Sequence, residues 1–170
     1  MLQVVNRLSQ LNFAALMDVY QESNAENAED FWPDMTEGQR LIRAEQEFYT
    51  YLKDVFFATE GAVYCVWLYE KAYACALRLE PYKDGWLLEA LETHPSLRRR
   101  GFAKQLITSV QALGNFDVIY AHVHKKNIPS LAVHISCGFQ RIDELAAYID
   151  GSVNHRACTL CWSAKGGKVY

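Results

Sequence analysis

Between residues 62 and 93 the chain carries three β-rich runs, 62–69, 72–79 and 86–93, separated only by Glu70-Lys71 and by a turn over 81–85. Links that short join antiparallel neighbours, because a parallel pair needs a crossover of a dozen residues or more. The chain must therefore contain an antiparallel meander, and the rest has to pack around it. Before it, residues 4–8 read as a short strand. Asn12 then caps a helix whose Phe13, Leu16, Met17 and Tyr20 recur at helical spacing. The polar stretch 23–34, ending in Trp32-Pro33, reads as a loop. Thr36 with Gln39 forms a capping-box pattern opening a second helix through Leu41, Phe48, Leu52 and Val55, which Glu60-Gly61 ends.

After the meander the period returns to 3.6 over 101–113, with Phe102, Leu106, Val110 and Leu113 on one face. A strand over 118–124 and a short helix over 128–136 follow, the helix placing Ile128, Leu131, Ala132 and Ile135 on its core face and Asn127, Ser130 and His134 on another. From Gln140 two more strands turn at Asp150-Gly151, and Lys165 to Lys168 reads as a loose tail. Meander plus one βαβ-like crossover gives an α/β (α+β mixed sheet) class, and 170 residues suit one domain over 1–170. A net charge of −3 excludes the broad cationic surface of a nucleic-acid binder. The longest apolar run, 61–68, has strand length, so no membrane span is expected. Polar residues interrupt 1–13, leaving no continuous secretory core. The expectation is a soluble, cytoplasmic protein.

Five cysteines, Cys65, Cys75, Cys137, Cys158 and Cys161, form no framework and read as reduced. Cys158 and Cys161 match C-x-x-C. However, they lie in a run of strand composition with no second ligand pair, so neither zinc nor dithiol chemistry is expected there.

The stretch from Leu87 to Lys104 carries the chemistry. A strand runs into Arg98-Arg99-Arg100-Gly101, and a helix opens at once. A helix start presents unpaired N–H groups and a partial positive charge, so this turn suits an anion such as a diphosphate. Gly101 lets the backbone approach the anion, Ala103 keeps the next position small, and Lys104 adds charge.

Arg98-x-x-Gly101-x-Ala103 resembles the R/Q-x-x-G-x-G/A signature of the GNAT superfamily of acyl-CoA-dependent N-acetyltransferases, with Thr93, His94 and Pro95 in its lead-in. The segment from Asn127 through Ser130 and His134 to Gly138-Phe139 resembles the family's second element, at the expected distance. The resemblance implies the GNAT fold: a mostly antiparallel central sheet with one splayed parallel strand pair, flanked by about four helices. Acetyl-CoA would be the acyl donor, with no metal. Its diphosphate would rest on amides from about Arg99 through Arg100, Gly101, Phe102 and Ala103 to Lys104. Its pantetheine arm would pair with Leu91, Glu92 and Thr93 as an added strand. Asn127 and Ser130 would contact it from the short helix.

Where relatives carry a tyrosine that protonates the departing thiolate, this chain has His134. An imidazole can also donate a proton. The base that frees the amine remains open between His122 and Glu89. Alternation places His122 with Tyr120 and His124 on one strand face, and several family members use that position. Glu89 lies in an apolar run that would raise its pKa. Glu92 is three residues on, so alternation puts it on the opposite face.

The implied function is transfer of an acetyl group to a primary amine of a small molecule or peptide N-terminus, by direct attack in a ternary complex. The acidic residues at strand ends favour a cationic acceptor, and a homodimer is compatible. A GNAT-like domain that binds acyl-CoA as a sensor without turnover is the alternative.

Overall fold

The computed structural model describes residues 1–165; the tail reading beyond Lys165 lies outside the described residues. Strand β1 is Leu2–Val5, followed by a single 3-10 turn at Leu8–Gln10, where a longer strand over 4–8 was expected. Helix α1, Phe13–Phe31, starts at Asn12, whose side chain accepts from the Ala15 N–H. It runs on through the segment expected to be a loop. That segment is polar because it is mostly solvent-facing, yet it is rich in helix formers and buries Ala28. Helix α2, Glu37–Tyr51, has its capping box at Thr36 and Gln39 and continues into one π turn over Leu52–Phe56.

The meander follows as β2 (Val63–Tyr69), β3 (Ala72–Tyr82) and β4 (Gly85–Thr93). β3 extends through Pro81, so the second turn shrinks to Lys83-Asp84, with Lys83 at φ +51°. Helix α3 is Phe102–Gln111, β5 Val118–His124 and α4 Ile128–Ser136. The C-terminal part is richer than expected: β6 (Gln140–Asp143), a small hairpin of β7 (Ala146–Ala147) and β8 (Val153–Asn154), then β9 (Ala157–Ser163). The main sheet runs β1-β2-β3-β4-β5-β9-β6, with β4–β5 its one parallel pair.

Alternation sorts the sheet into two faces. One carries Tyr64, Val66 and Ala76 beneath Leu16, Val19 and Tyr20 of α1 and Leu52 and Phe56 after α2. The other carries Cys65, Leu77, Leu79, Ala121 and Val123 against Phe102, Leu106, Ile107 and Val110 of α3, with Leu131 and Val133 of α4 packed on it. Burying these apolar faces is the main driving force for folding. No described helix is long and apolar enough to cross a membrane.

Candidate active site

The site begins where β4 and β5 part. They pair only through Trp86–Ile119, Leu87–Tyr120 and Leu88–Ala121. Gly85 makes the close start possible: a Cβ there would stand 2.5 Å from the Val118 carbonyl oxygen. Beyond Leu88 and Ala121 each strand stays paired on its outer side, β4 with β3 to Thr93 and β5 with β9 to His124. The edges facing each other are free, which leaves an open wedge.

A bulge in β4 shapes one wall. Arg78 pairs with Glu89 and Ala76 with Glu92, so Leu77 of β3 alone opposes both Ala90 and Leu91 of β4. Ala90 takes up the extra residue at φ +51°. Glu89 and Glu92 therefore lie on the same sheet face, which corrects the opposite-face expectation: simple alternation fails across a bulge. The Tyr20 hydroxyl donates to the Ala90 carbonyl at 2.6 Å and accepts from the Tyr64 hydroxyl at 2.8 Å. Burial pushes both phenols above their ordinary pKa.

The turn after β4 is built as an amide cradle. Arg99 and Gly101 are left-handed at φ +61° and +80°. Among the described residues, no hydrogen bond uses the backbone N–H groups from Arg99 to Lys104, whereas the Gly101 carbonyl accepts from the Gln105 N–H. A Cβ on Gly101 would find only Gln105 Nε2, 3.8 Å away. The arginines divide their tasks. Arg98 is committed to Glu22 at 2.5 Å and Glu92 at 3.5 Å, tying α1 to β4. Arg100 lies 4.5 Å over the Tyr69 ring and 5.4 Å from that of Phe102. Arg99 and Lys104 are exposed, with no carboxylate partner among the described residues.

Across the wedge, His122 stands on the face of β5 that carries Tyr120. Tyr82 and Tyr148 meet its ring edge-on at 5.5 and 5.0 Å, and both ring nitrogens are buried without a partner. Burial holds its pKa below the ordinary value; Glu89 pulls it up and Lys83 pushes it down. Glu89 accepts from Arg78 Nε at 3.2 Å and Nη2 at 3.0 Å. Burial, then a hydrogen bond with Glu89, pushes the Glu80 carboxyl up to about 7. Arg78 also lies 5.0 Å over the Tyr51 ring. The two candidate bases thus share one sheet face, and Glu89 belongs to an Arg78–Glu80–Glu89 cluster that the sequence reading passed over. The available signal was two charged residues, two apart, in an otherwise apolar strand.

Helix α4 packs beside α3 on the other face of the sheet, rotated from its expected setting. Ile128 and Ile135, assigned to the core, are 65% and 59% exposed, and Ala132 is exposed too; Leu131 does pack on the core. His134 is 1% exposed. It can be buried because its own helix satisfies it: Nδ1 lies 2.8 Å from the Ser130 carbonyl oxygen, so Nδ1–H donates there. Nε2 is left as a buried, unpartnered acceptor, and burial lowers the pKa of the ring. Asn127 spends its Oδ1 on the Ser130 N–H at 3.1 Å, capping the helix.

Cys158 packs in the α3-side core, while Cys161 joins Tyr82, Leu87 and Tyr120 on the other face, so the C-x-x-C residues point apart. Burial pushes the Cys65 and Cys75 thiols up to about 12 and Cys161 to about 11. Among the described residues no cluster of three His, Cys, Asp or Glu could hold a metal.

The model of the acetyltransferase (GNAT) family matches residues 18–139. The PaiA N-acetyltransferase of Thermoplasma acidophilum, solved in complex with coenzyme A, superposes with a TM-score of 0.65 at 10% identity, covering 96% of this chain and 99% of that one. The ribosomal-protein-S18-alanine N-acetyltransferase of Escherichia coli gives 0.59 at 15% identity, covering 100% and 99%. An aminoglycoside 6'-acetyltransferase type Ii gives 0.63 at 11%, covering 96% of each chain. At these identities the structural likenesses establish the fold alone. No curated protein matches the sequence.

Proposed function

This chain belongs to the acetyltransferase (GNAT) family, and from that premise we propose that it moves the acetyl group of acetyl-CoA to a primary amine of a small molecule or peptide N-terminus, by direct attack in a ternary complex. The observation that carries the reading is the free-edged wedge between β4 and β5, opening beside a turn whose successive amides lack acceptors. Diphosphate suits that turn because left-handed Arg99 and Gly101 aim neighbouring N–H groups at one place, with Arg99 and Lys104 adding charge. The free edge at Leu91, Glu92 and Thr93 offers donors and acceptors to an amide-bearing arm.

Bound acetyl-CoA supplies the thioester; the chain's own residues do the rest. His122, neutral through burial and with both nitrogens unengaged, takes a proton from the incoming ammonium. Glu89 steadies the imidazolium that results, its own charge balanced by Arg78. A backbone N–H on the free edge of β4 faces the developing oxyanion. His134, with Nδ1–H spent on Ser130, offers Nε2 as an acceptor, so it orients rather than protonates.

The test is incubation with acetyl-CoA, an amine panel and a thiol reagent, alongside calorimetry with CoA. Amine-dependent thiol release supports the reading. CoA binding with no release above buffer indicates a sensor, and no binding overturns the assignment.

A further inference from the structure

Two residues beyond His122 on β5 lies a cleft of about 460 Å³ lined by His124, Lys125, Lys126 and Arg156. Alternation puts His124 on the same face as His122, while Ala121 and Val123 face the α3-side core. Two residues at roughly 3.3 Å each put the cleft about 7 Å from the proposed base. Its walls are fixed by backbone bonds. The Lys125 N–H donates to the Arg156 carbonyl at 2.8 Å, the Lys126 N–H to His124 Nδ1 at 3.2 Å, and the Arg156 N–H to Asn154 Oδ1 at 2.8 Å.

The charge there runs against the rest of the molecule, which is net negative at −3. Lys125 approaches Glu144 at 3.5 Å, but Arg141 also claims that carboxylate, at 2.6 Å. Lys126 and Arg156 have no carboxylate partner among the described residues. Beside the wedge Glu89 is matched by Arg78 and Glu92 by Arg98, while burial and the bond to Glu89 push the Glu80 carboxyl up to about 7. Glu89 and Glu92, at the wedge itself, are thus already paired with cations, and Lys126 and Arg156 leave the cleft beside it positive.

Resting on the acetyl-transfer reading, we infer that this cleft holds an anionic group of the acceptor, so that the substrate is an amine that also carries a carboxylate or phosphate. The amine lies at His122, and the oxyanion, on the cleft floor of β5, accepts from Lys126 and Arg156 by charge-assisted hydrogen bonds. The Arg99–Lys104 turn, on β4 and α3, is a separate anion site.

Calorimetry on the CoA-loaded protein tests this with matched ligands: ε-aminocaproate and its amide, glycylglycine and glycylglycinamide, phosphoethanolamine and ethanolamine. At least one anionic member is expected to bind about tenfold more tightly than its neutral partner. Lys126→Ala with Arg156→Ala should erase that preference while leaving the neutral partner's affinity in place. Equal binding within every pair, no binding by any ligand, or a preference that survives the double variant overturns the inference. So does a double variant that weakens CoA but not dephospho-CoA, since the cleft would then serve the cofactor's ribose phosphate. Failure of the wild type to bind CoA sinks the acetyl-transfer reading itself, and this inference with it.

Discussion

The Tyr20 hydroxyl, 2.6 Å from the Ala90 carbonyl oxygen, fastens helix α1 to the one bulged residue of β4. Ala90 sits at φ +51°, a region that costs a non-glycine residue roughly 1–2 kcal/mol. A buried hydrogen bond offsets that strain, and losing it leaves a carbonyl unsatisfied. Tyr20→Phe is therefore expected to cost about 1–3 kcal/mol in urea unfolding and to raise the KM for acetyl-CoA. Adding Ala90→Gly should recover part of the stability, because glycine takes positive φ without penalty. Wild-type stability in Tyr20→Phe would show that the bulge is held by something else.

Gly101 separates backbone strain from ligand contact. At φ +80° an alanine costs roughly 1–2 kcal/mol, but no protein atom blocks its Cβ. Gly114, at φ +70° with nothing near, is the matched control. Gly101→Ala and Gly114→Ala should lose similar stability, and only the former should weaken CoA binding in calorimetry. Gly101→Val should abolish CoA binding in a protein that still unfolds cooperatively. Equal CoA affinity across all three would remove the diphosphate from this turn.

How far the sequence could be read depended on whether a feature was local. The meander, α4 and β5 came directly from period and turn chemistry, and the bounds of β5 and α4 coincide with expectation. The turn proposed to hold the diphosphate was also visible as a strand-to-helix turn, because Gly101 and the three arginines are contiguous. Features set by register were not. The bulge at Ala90 exists only relative to β3, and with it the shared face of Glu89 and Glu92. Gly85 looked like an ordinary turn residue until Val118 stood against it. The α4 face was misjudged because His134 meets its hydrogen-bonding need within its own helix, which lets a polar residue be buried while Ile128 and Ile135 stay outside.

Glu80 should leave a signature in pH-dependent stability. Its carboxyl ionises at about 7 when folded, against an ordinary value of 4.5, because burial and the bond to Glu89 favour the protonated form. Between those values the unfolded chain has released a proton that the folded protein keeps, so this group makes stability fall as pH rises from 4.5 to about 7. Glu80→Gln cannot ionise and still offers Glu89 a donor. Its Tm should match the wild type below pH 4.5 and exceed it above pH 7. A variant never more stable than wild type at high pH would show that the pair does not share a proton.

The choice between His122 and Glu89 as base is settled by the direction in which a pH–rate profile moves. If His122 is the base, the acid limb of kcat/KM reports its pKa, which burial places below the ordinary 6.5. Glu89 raises that value and Lys83 lowers it. Glu89→Gln should then keep measurable activity and shift the limb to lower pH, since imidazolium loses a favourable neighbour. Lys83→Ala should shift it to higher pH, since an unfavourable one is gone. His122→Gln should cut kcat by roughly 10²–10⁴ with CoA affinity unchanged. If Glu89 is the base, Glu89→Gln should instead remove the limb along with the activity, and Lys83→Ala should leave His122 with nothing to report. Opposite shifts in the two charge variants, on one assay, can arise only from a titrating group that lies within reach of both charges.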